Sequence, residues 1–111
     1  MKLYLDTSSD TCILRLDERS YEQTFGRGEM AVGILRFIHD KLVENQADWS
    51  DISEITFFSG PGSFTGLRIG ATIVNTLADQ LHIPLFDQNG QPHPVILPDY
   101  GRPANISTPK K

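Results

Sequence analysis

The residues best placed to do chemistry lie in one stretch, Ser59-Gly60-Pro61-Gly62-Ser63-Phe64-Thr65-Gly66-Leu67-Arg68-Ile69-Gly70. Glycines can take positive φ without steric cost, so Gly60, Gly62 and Gly66 suit a tight loop. Ser63 and Thr65 carry hydroxyls where a helix start needs partners for its free N–H groups. A helix N-terminus bears partial positive charge, and Arg68 adds a full one. Gly60, Gly62, Ser63, Thr65, Gly66 and Arg68 are therefore a candidate anion site. The competing reading is a turn whose glycines let strand and helix pack closely, and spacing alone favours it. No Lys-Ser or Lys-Thr pair follows Gly66, which excludes a P-loop. Nor does the loop follow the first strand of a unit, as a dinucleotide fingerprint does.

Other candidates are weaker. Asp6, Asp10 and Asp51 could gather a magnesium ion, although nothing in their spacing demands it. Arg68 could pair with Asp6 or Asp51, or reach an anion across an interface; an internal pair is the simpler expectation. His39, His82 and His93 are scattered, with no pair at metal-ligand spacing on one helix face. Ser63 lacks the pattern of a nucleophile elbow. Cys12 is the only cysteine and falls in an apolar strand pattern, so a buried structural thiol is expected.

The elements around the loop can be read from periodicity. Leu3 to Leu5 is a short strand, Asp6 to Asp10 a polar turn, and Thr11 to Asp17 an alternating strand with Cys12, Leu14 and Leu16 on one face. Ser20 to Phe25 makes a third strand with Tyr21 and Phe25 inward. Glu29 to Asn45 is a helix whose core stripe is Ala31, Ile34, Leu35, Ile38 and Leu42, with Met30 and Phe37 on its flank. Ile55 to Phe58 is a near-continuous apolar run, expected to be covered on both faces. Leu67 to Leu81 is a second helix with Arg68, Thr72, Asn75 and Asp79 on its polar side. Ile83 to Phe86 is a last short strand. Five of the seven prolines fall in residues 88–111, which reads as an extended tail anchored by Val95, Ile96, Leu97 and Tyr100. The apolar arcs of both helices exceed the need of one sheet face, so a partner surface is expected.

The formal net charge is −4 over 111 residues, which argues against direct, charge-driven binding of nucleic acid. One cysteine and the early Asp6 suit a cytoplasmic chain with no signal peptide and no membrane span. These features fit one domain of modest stability, because a chain this short buries only about 60–70% of its unfolded surface.

The loop Gly60 to Gly70, with Leu5-Asp6-Thr7-Ser8 and Trp49-Ser50-Asp51-Ile52-Ser53-Glu54-Ile55, resembles the signature of the bacterial TsaB (YeaZ) family of tRNA threonylcarbamoyladenosine biosynthesis proteins. The resemblance covers about residues 1–87. It implies an α/β fold: one ribonuclease-H-like half of the actin/Hsp70/sugar-kinase architecture, with a mixed five-stranded sheet, two main helices and an extended tail. Residues 1–87 would form that domain and 88–111 a Pro-rich tail. Pro98-Asp99-Tyr100-Gly101-Arg102-Pro103 resembles a motif near the family's C-terminus, which implies a compact variant lacking most of the second half.

The family's role implies a non-catalytic scaffold that supports the catalytic subunit TsaD in threonylcarbamoylation of tRNA adenosine 37. The ATPase TsaE is a possible third member, and a homodimer is expected when the chain is alone. Docking would use residues 30–44 and 66–81, with Met30, Ile34, Phe37, Lys41, Ile69, Ile73 and Thr76 as contacts and Phe37 and Ile73 on outer edges. No cofactor of its own is implied, and a nucleotide is expected only at a partner interface. The alternatives are a nucleotide- or phosphate-binding enzyme using Asp6 and the loop, or a homodimeric module with another target. Asp6 marks the family architecture's phosphate turn, but with one half missing a turn-fixing aspartate is expected instead.

Overall fold

A computed structural model describes residues 1–99 of the chain. The strands are β1 (Lys2–Asp6), β2 (Thr11–Leu16), β3 (Arg19–Thr24), β4 (Glu54–Phe57) and β5 (Leu85–Asp87); the helices are α1 (Met30–Glu44) and α2 (Phe64–Leu81). A short 3-10 turn, Trp49–Asp51, precedes β4 and is closed by reciprocal Asp48 and Asp51 side-chain bonds.

The sheet order is β3-β2-β1-β4-β5. β1, β2 and β3 form an antiparallel meander, whereas β1, β4 and β5 run parallel. The register explains the core. Leu3 sits opposite Leu16 and Ile55, Leu5 opposite Leu14 and Phe57, and Ile55 opposite Leu85. Directly paired residues point to the same side, so these side chains and Cys12 make one continuous buried face. β3 runs parallel to β4, and the connections β3-α1-β4 and β4-α2-β5 go the same way across the sheet. Right-handed crossovers therefore put α1 and α2 on the same face. The expectation that β4 is covered on both sides fails for that reason. Ile55 and Phe57 are buried under helices, while Thr56, Phe58, Tyr4, Ile13 and Phe86 are only half-buried. On that open face Arg15 lies 4.7 Å above the Tyr4 ring.

α1 is rotated from the orientation its periodicity suggests. Met30, Ile34, Phe37, Ile38 and Leu42 are buried, whereas Ala31 is exposed and Leu35 is 44% exposed. The cause is Phe25, just after β3. Its ring fills the space a Cβ on Gly33 would need, and it meets Phe37 edge to face at 6.3 Å. The buried arc rolls toward Phe25, and Phe37 goes into the core instead of onto an outer edge.

α2 starts three residues earlier than its apolar stripe suggests. Ser63 is the N-cap, its hydroxyl accepting from Gly66 N–H at 3.2 Å. The helix ends at His82 in the left-handed region, φ 57°.

The chain after β5 folds back. His93 N–H donates to the Leu85 carbonyl at 2.8 Å, and Pro92 bridges Phe86. Ile96 is buried against α2, with its N–H and C=O both bonded by the Asn75 side chain at 2.8 and 3.0 Å. Asn75, expected on the polar side of α2, is thus a dock for the tail. Extended geometry points alternate residues outward, so Val95 and Leu97 are exposed rather than anchoring. Tyr100, the remainder of the Pro98-to-Pro103 motif and the rest of the tail lie outside the described residues.

Candidate functional site

The glycine loop is a packing device. Gly60 alone of its three loop glycines has positive φ, 125°, and the Asp99 carbonyl occupies the place of its missing Cβ. Gly62 and Gly66 have ordinary φ, contrary to expectation; a Cβ there would strike Ser8 and the Thr7 carbonyl. At Gly70 a Cβ would strike the Thr7 hydroxyl and come within 2.6 Å of the Phe57 ring. Thr7 is fully buried and its hydroxyl donates to the Gly66 carbonyl at 2.7 Å. The first turn of α2 is thereby seated on the turn after β1.

An anion cradle needs N–H groups aimed at open space. Here Ser63 N–H donates to the Ser8 carbonyl at 2.7 Å, Ser59 N–H to the Gln88 side chain at 3.0 Å, and Gly66 N–H to Ser63. Those donors serve the chain's own fold. Thr65 and Arg68 remain exposed beside them.

The acidic candidates are not brought together. Asp6 at the end of β1 accepts from Ser8 N–H at 2.8 Å, fixing the turn. Asp51 lies at the other end of that strand, where its carbonyl accepts from the Met1 ammonium at 3.0 Å. No group of three or more His, Cys, Asp or Glu that could hold a metal occurs among the described residues. Arg68 has no carboxylate within ion-pair distance among the described residues, so the expected internal pair with Asp6 or Asp51 does not form. Its geometry forbids Asp51 in any case, because the loop sits at the Asp6 end.

His39 is exposed and stacks on Trp49 at 6.4 Å, and His93 is bonded to Asp87 at 2.8 Å. The His93 bond, helped by the N–H groups of Gln91 and Asn89, holds the Asp87 carboxyl below the usual range. Burial, with a smaller contribution from Asp6, pushes the Cys12 thiol up to about 12, which makes it unreactive as a nucleophile.

The helix pair presents the remaining feature. An open groove of about 390 Å³ runs between Ala31 of α1 and Phe64, Thr65, Arg68, Ile69, Thr72 and Ile73 of α2. Ile69 is half-buried and Ile73 is 9% exposed at its floor. The Thr72 hydroxyl donates to the Arg68 carbonyl at 2.9 Å and Thr76 to the Thr72 carbonyl at 2.8 Å. Both hydroxyls are satisfied within the helix, so these residues can be covered without stranding a donor.

Of the expected contact residues, Ile69 and Thr76 lie on α2 at or beyond this groove, whereas Ile73, expected on an outer edge, is a buried residue that shows only at the groove floor. Ile34 and Phe37 are core residues, not available at the surface, and Met30, 9% exposed, lines a separate hollow with Phe25 and Gly66 rather than this groove. Lys41 is half-buried, bonded to Glu44 at 2.9 Å and 5.2 Å from the Tyr21 ring centroid. From α1 only Ala31 lines the groove, and exposed Leu35 follows it one turn on in the same row; Val32 and Val43 are also exposed on α1. The i, i+4 spacing of Ala31 and Leu35 was visible in the sequence, but only the position of Phe25 says that this row faces outward.

The strand order, the parallel β1-β4-β5 half and the helices on one face define the class: a ribonuclease-H-like α/β unit. A sequence model of the TsaD family, tRNA N6-adenosine threonylcarbamoyltransferase, matches residues 29–89, which run from α1 through β5. The chain belongs to that family. It is 37% identical over 87 residues to the tRNA threonylcarbamoyladenosine biosynthesis protein TsaB of Bacillus subtilis, an alignment covering 75% of this chain and 38% of that protein. It is also 36% identical over 56 residues to the tRNA N6-adenosine threonylcarbamoyltransferase of Christiangramia forsetii, covering 50% of this chain and 16% of the relative. The solved structure of YeaZ from Pseudomonas aeruginosa superposes with a TM-score of 0.68 at 34% identity, covering 78% of this chain and 42% of that one. The chain thus spans about two fifths of the length of the TsaB relatives it matches. No helix among the described residues is long and apolar enough to cross a membrane.

Proposed function

We propose that this chain is a non-catalytic scaffold subunit of the tRNA threonylcarbamoyladenosine machinery, docking a TsaD-family transferase through the outward face of α1 and α2. The observation that carries this reading is the groove over Ala31, Ile69, Thr72 and Ile73, apolar at its floor and with Thr72 already hydrogen-bonded within the helix. The segment matched by the TsaD family model contains both helices that form it. A transferase sharing this pair of helices can offer a related face, and two related faces can pair about a pseudo-two-fold axis. Two copies of this chain would use the same face, so a homodimer and the transferase compete for it. TsaE would join as a third member, a nucleotide would be held at an interface rather than by this chain alone, and the assembly would work in the cytoplasm.

The test is size-exclusion chromatography of the chain with a TsaD-family transferase. Co-elution, abolished by Ala31→Arg with the fold intact, supports the reading. Separate elution at micromolar concentrations, or micromolar affinity of the isolated chain for ATP and magnesium by calorimetry, favours an enzyme or nucleotide binder instead.

A further inference from the structure

We propose that Arg68 is the specificity charge of the helix-pair face: it takes a carboxylate from an incoming helix of the partner and disfavours two copies of this chain on the same contact. This rests on the docking reading above. Arg68 is exposed on α2 and lines the groove. The ion pairs among the described residues are Lys41 with Glu44, His93 with Asp87 and His39 with Asp40, and none involves it. The acid just before α1, Glu29, is turned back, accepting from Gly26 N–H at 2.8 Å. Every other groove residue is apolar or carries a hydroxyl. Among the described residues, the groove therefore holds one positive charge with no carboxylate to balance it.

Covering an unpaired guanidinium costs heavily unless the covering surface brings a charge-assisted acceptor. A carboxylate fits best, because the planar fork of arginine can bond both its oxygens. The same charge works against self-pairing. In an isologous contact the face meets itself, so each Arg68 finds a groove that contains another Arg68 and no acid. A partner with a carboxylate at that place is preferred over a second copy by both the gain and the penalty.

The experiment measures calorimetric affinity of the full chain for the purified transferase, with sedimentation equilibrium of the chain alone. The variants are Arg68→Glu, Arg68→Lys and Arg68→Met, and circular dichroism checks their folds. Arg68→Glu should weaken transferase binding by about 100-fold, and Arg68→Lys should weaken it less. Arg68→Met should also bind the transferase more weakly while self-associating more tightly than the unmodified chain. Wild-type binding with Arg68→Glu within about twofold of it overturns this proposal and leaves the docking reading standing. Failure of the unmodified chain to bind overturns both.

Discussion

Gly70→Ala sets two opposing effects against each other, and the structure decides the sign. Gly70 is inside α2, where alanine is favoured by about 1 kcal/mol on helix propensity alone. Yet the new Cβ would overlap the Thr7 hydroxyl and approach the Phe57 ring. Displacing that hydroxyl breaks its bond to the Gly66 carbonyl in a fully buried place, which costs about 1–3 kcal/mol. Overpacking against Phe57 costs about 1–3 kcal/mol more. The net destabilisation is about 1–5 kcal/mol, a large part of the 5–15 kcal/mol typical of a domain. Equilibrium urea unfolding followed by circular dichroism measures it, with a midpoint lowered by roughly 1–3 M for a mid-range loss. The companion variant Thr7→Ala makes room for the added methyl, so the double variant should lose less than the two single losses combined. A Gly70→Ala protein as stable as the original, or strict additivity with Thr7→Ala, refutes the close-packing account of the loop.

Other outcomes follow from the same geometry. Phe37→Ala should lose about 3–5 kcal/mol in the same unfolding assay, because the ring is core, whereas Leu35→Glu should leave the fold stable and weaken transferase binding. Asn75→Ala removes both bonds to Ile96, so hydrogen exchange at Ile96 and the residues beside it should quicken while exchange in β1 stays slow. Asp87 titrates below its unfolded value, so the stability it lends is present above the ordinary carboxylate pKa of about 3.9 and is lost as pH falls through the folded value. The amide signals of Asn89 and Gln91 should move together over that acid range, and Asp87→Asn should abolish the movement. Cys12 should resist thiol reagents at neutral pH in the folded chain and react readily in denaturant.

Much of the architecture was legible. Period-two alternation identified β2 and its inward Cys12, Leu14 and Leu16, and period 3.6 identified both helices. At Gly62 and Gly66 the close-packing reading that spacing favoured holds while the positive φ does not; composition signals a permissive backbone, and only the fold shows that Thr7 and Ser8 are what press against them. The contact face of α1 was misread because the arc of Ala31, Ile34, Leu35 and Ile38 and the arc of Met30, Ile34, Phe37 and Ile38 are nearly equal in hydrophobicity. A distant residue, Phe25, chooses between them, and local periodicity cannot contain that information. The pair of hydrogen bonds between Asn75 and Ile96 was hidden similarly, because an asparagine on a polar helix side looks the same whether water or a chain segment meets it. The unpaired state of Arg68 likewise depended on which end of β1 each aspartate occupies.

Hydrogen-exchange mass spectrometry of the chain with and without a TsaD-family transferase tests the docking claim most directly. Peptides from 30–44 and 64–81 should gain protection in the mixture, while those from β3 should be unchanged. Protection confined to β3 or to the open sheet face, with both helices exchanging as in the free chain, would contradict it.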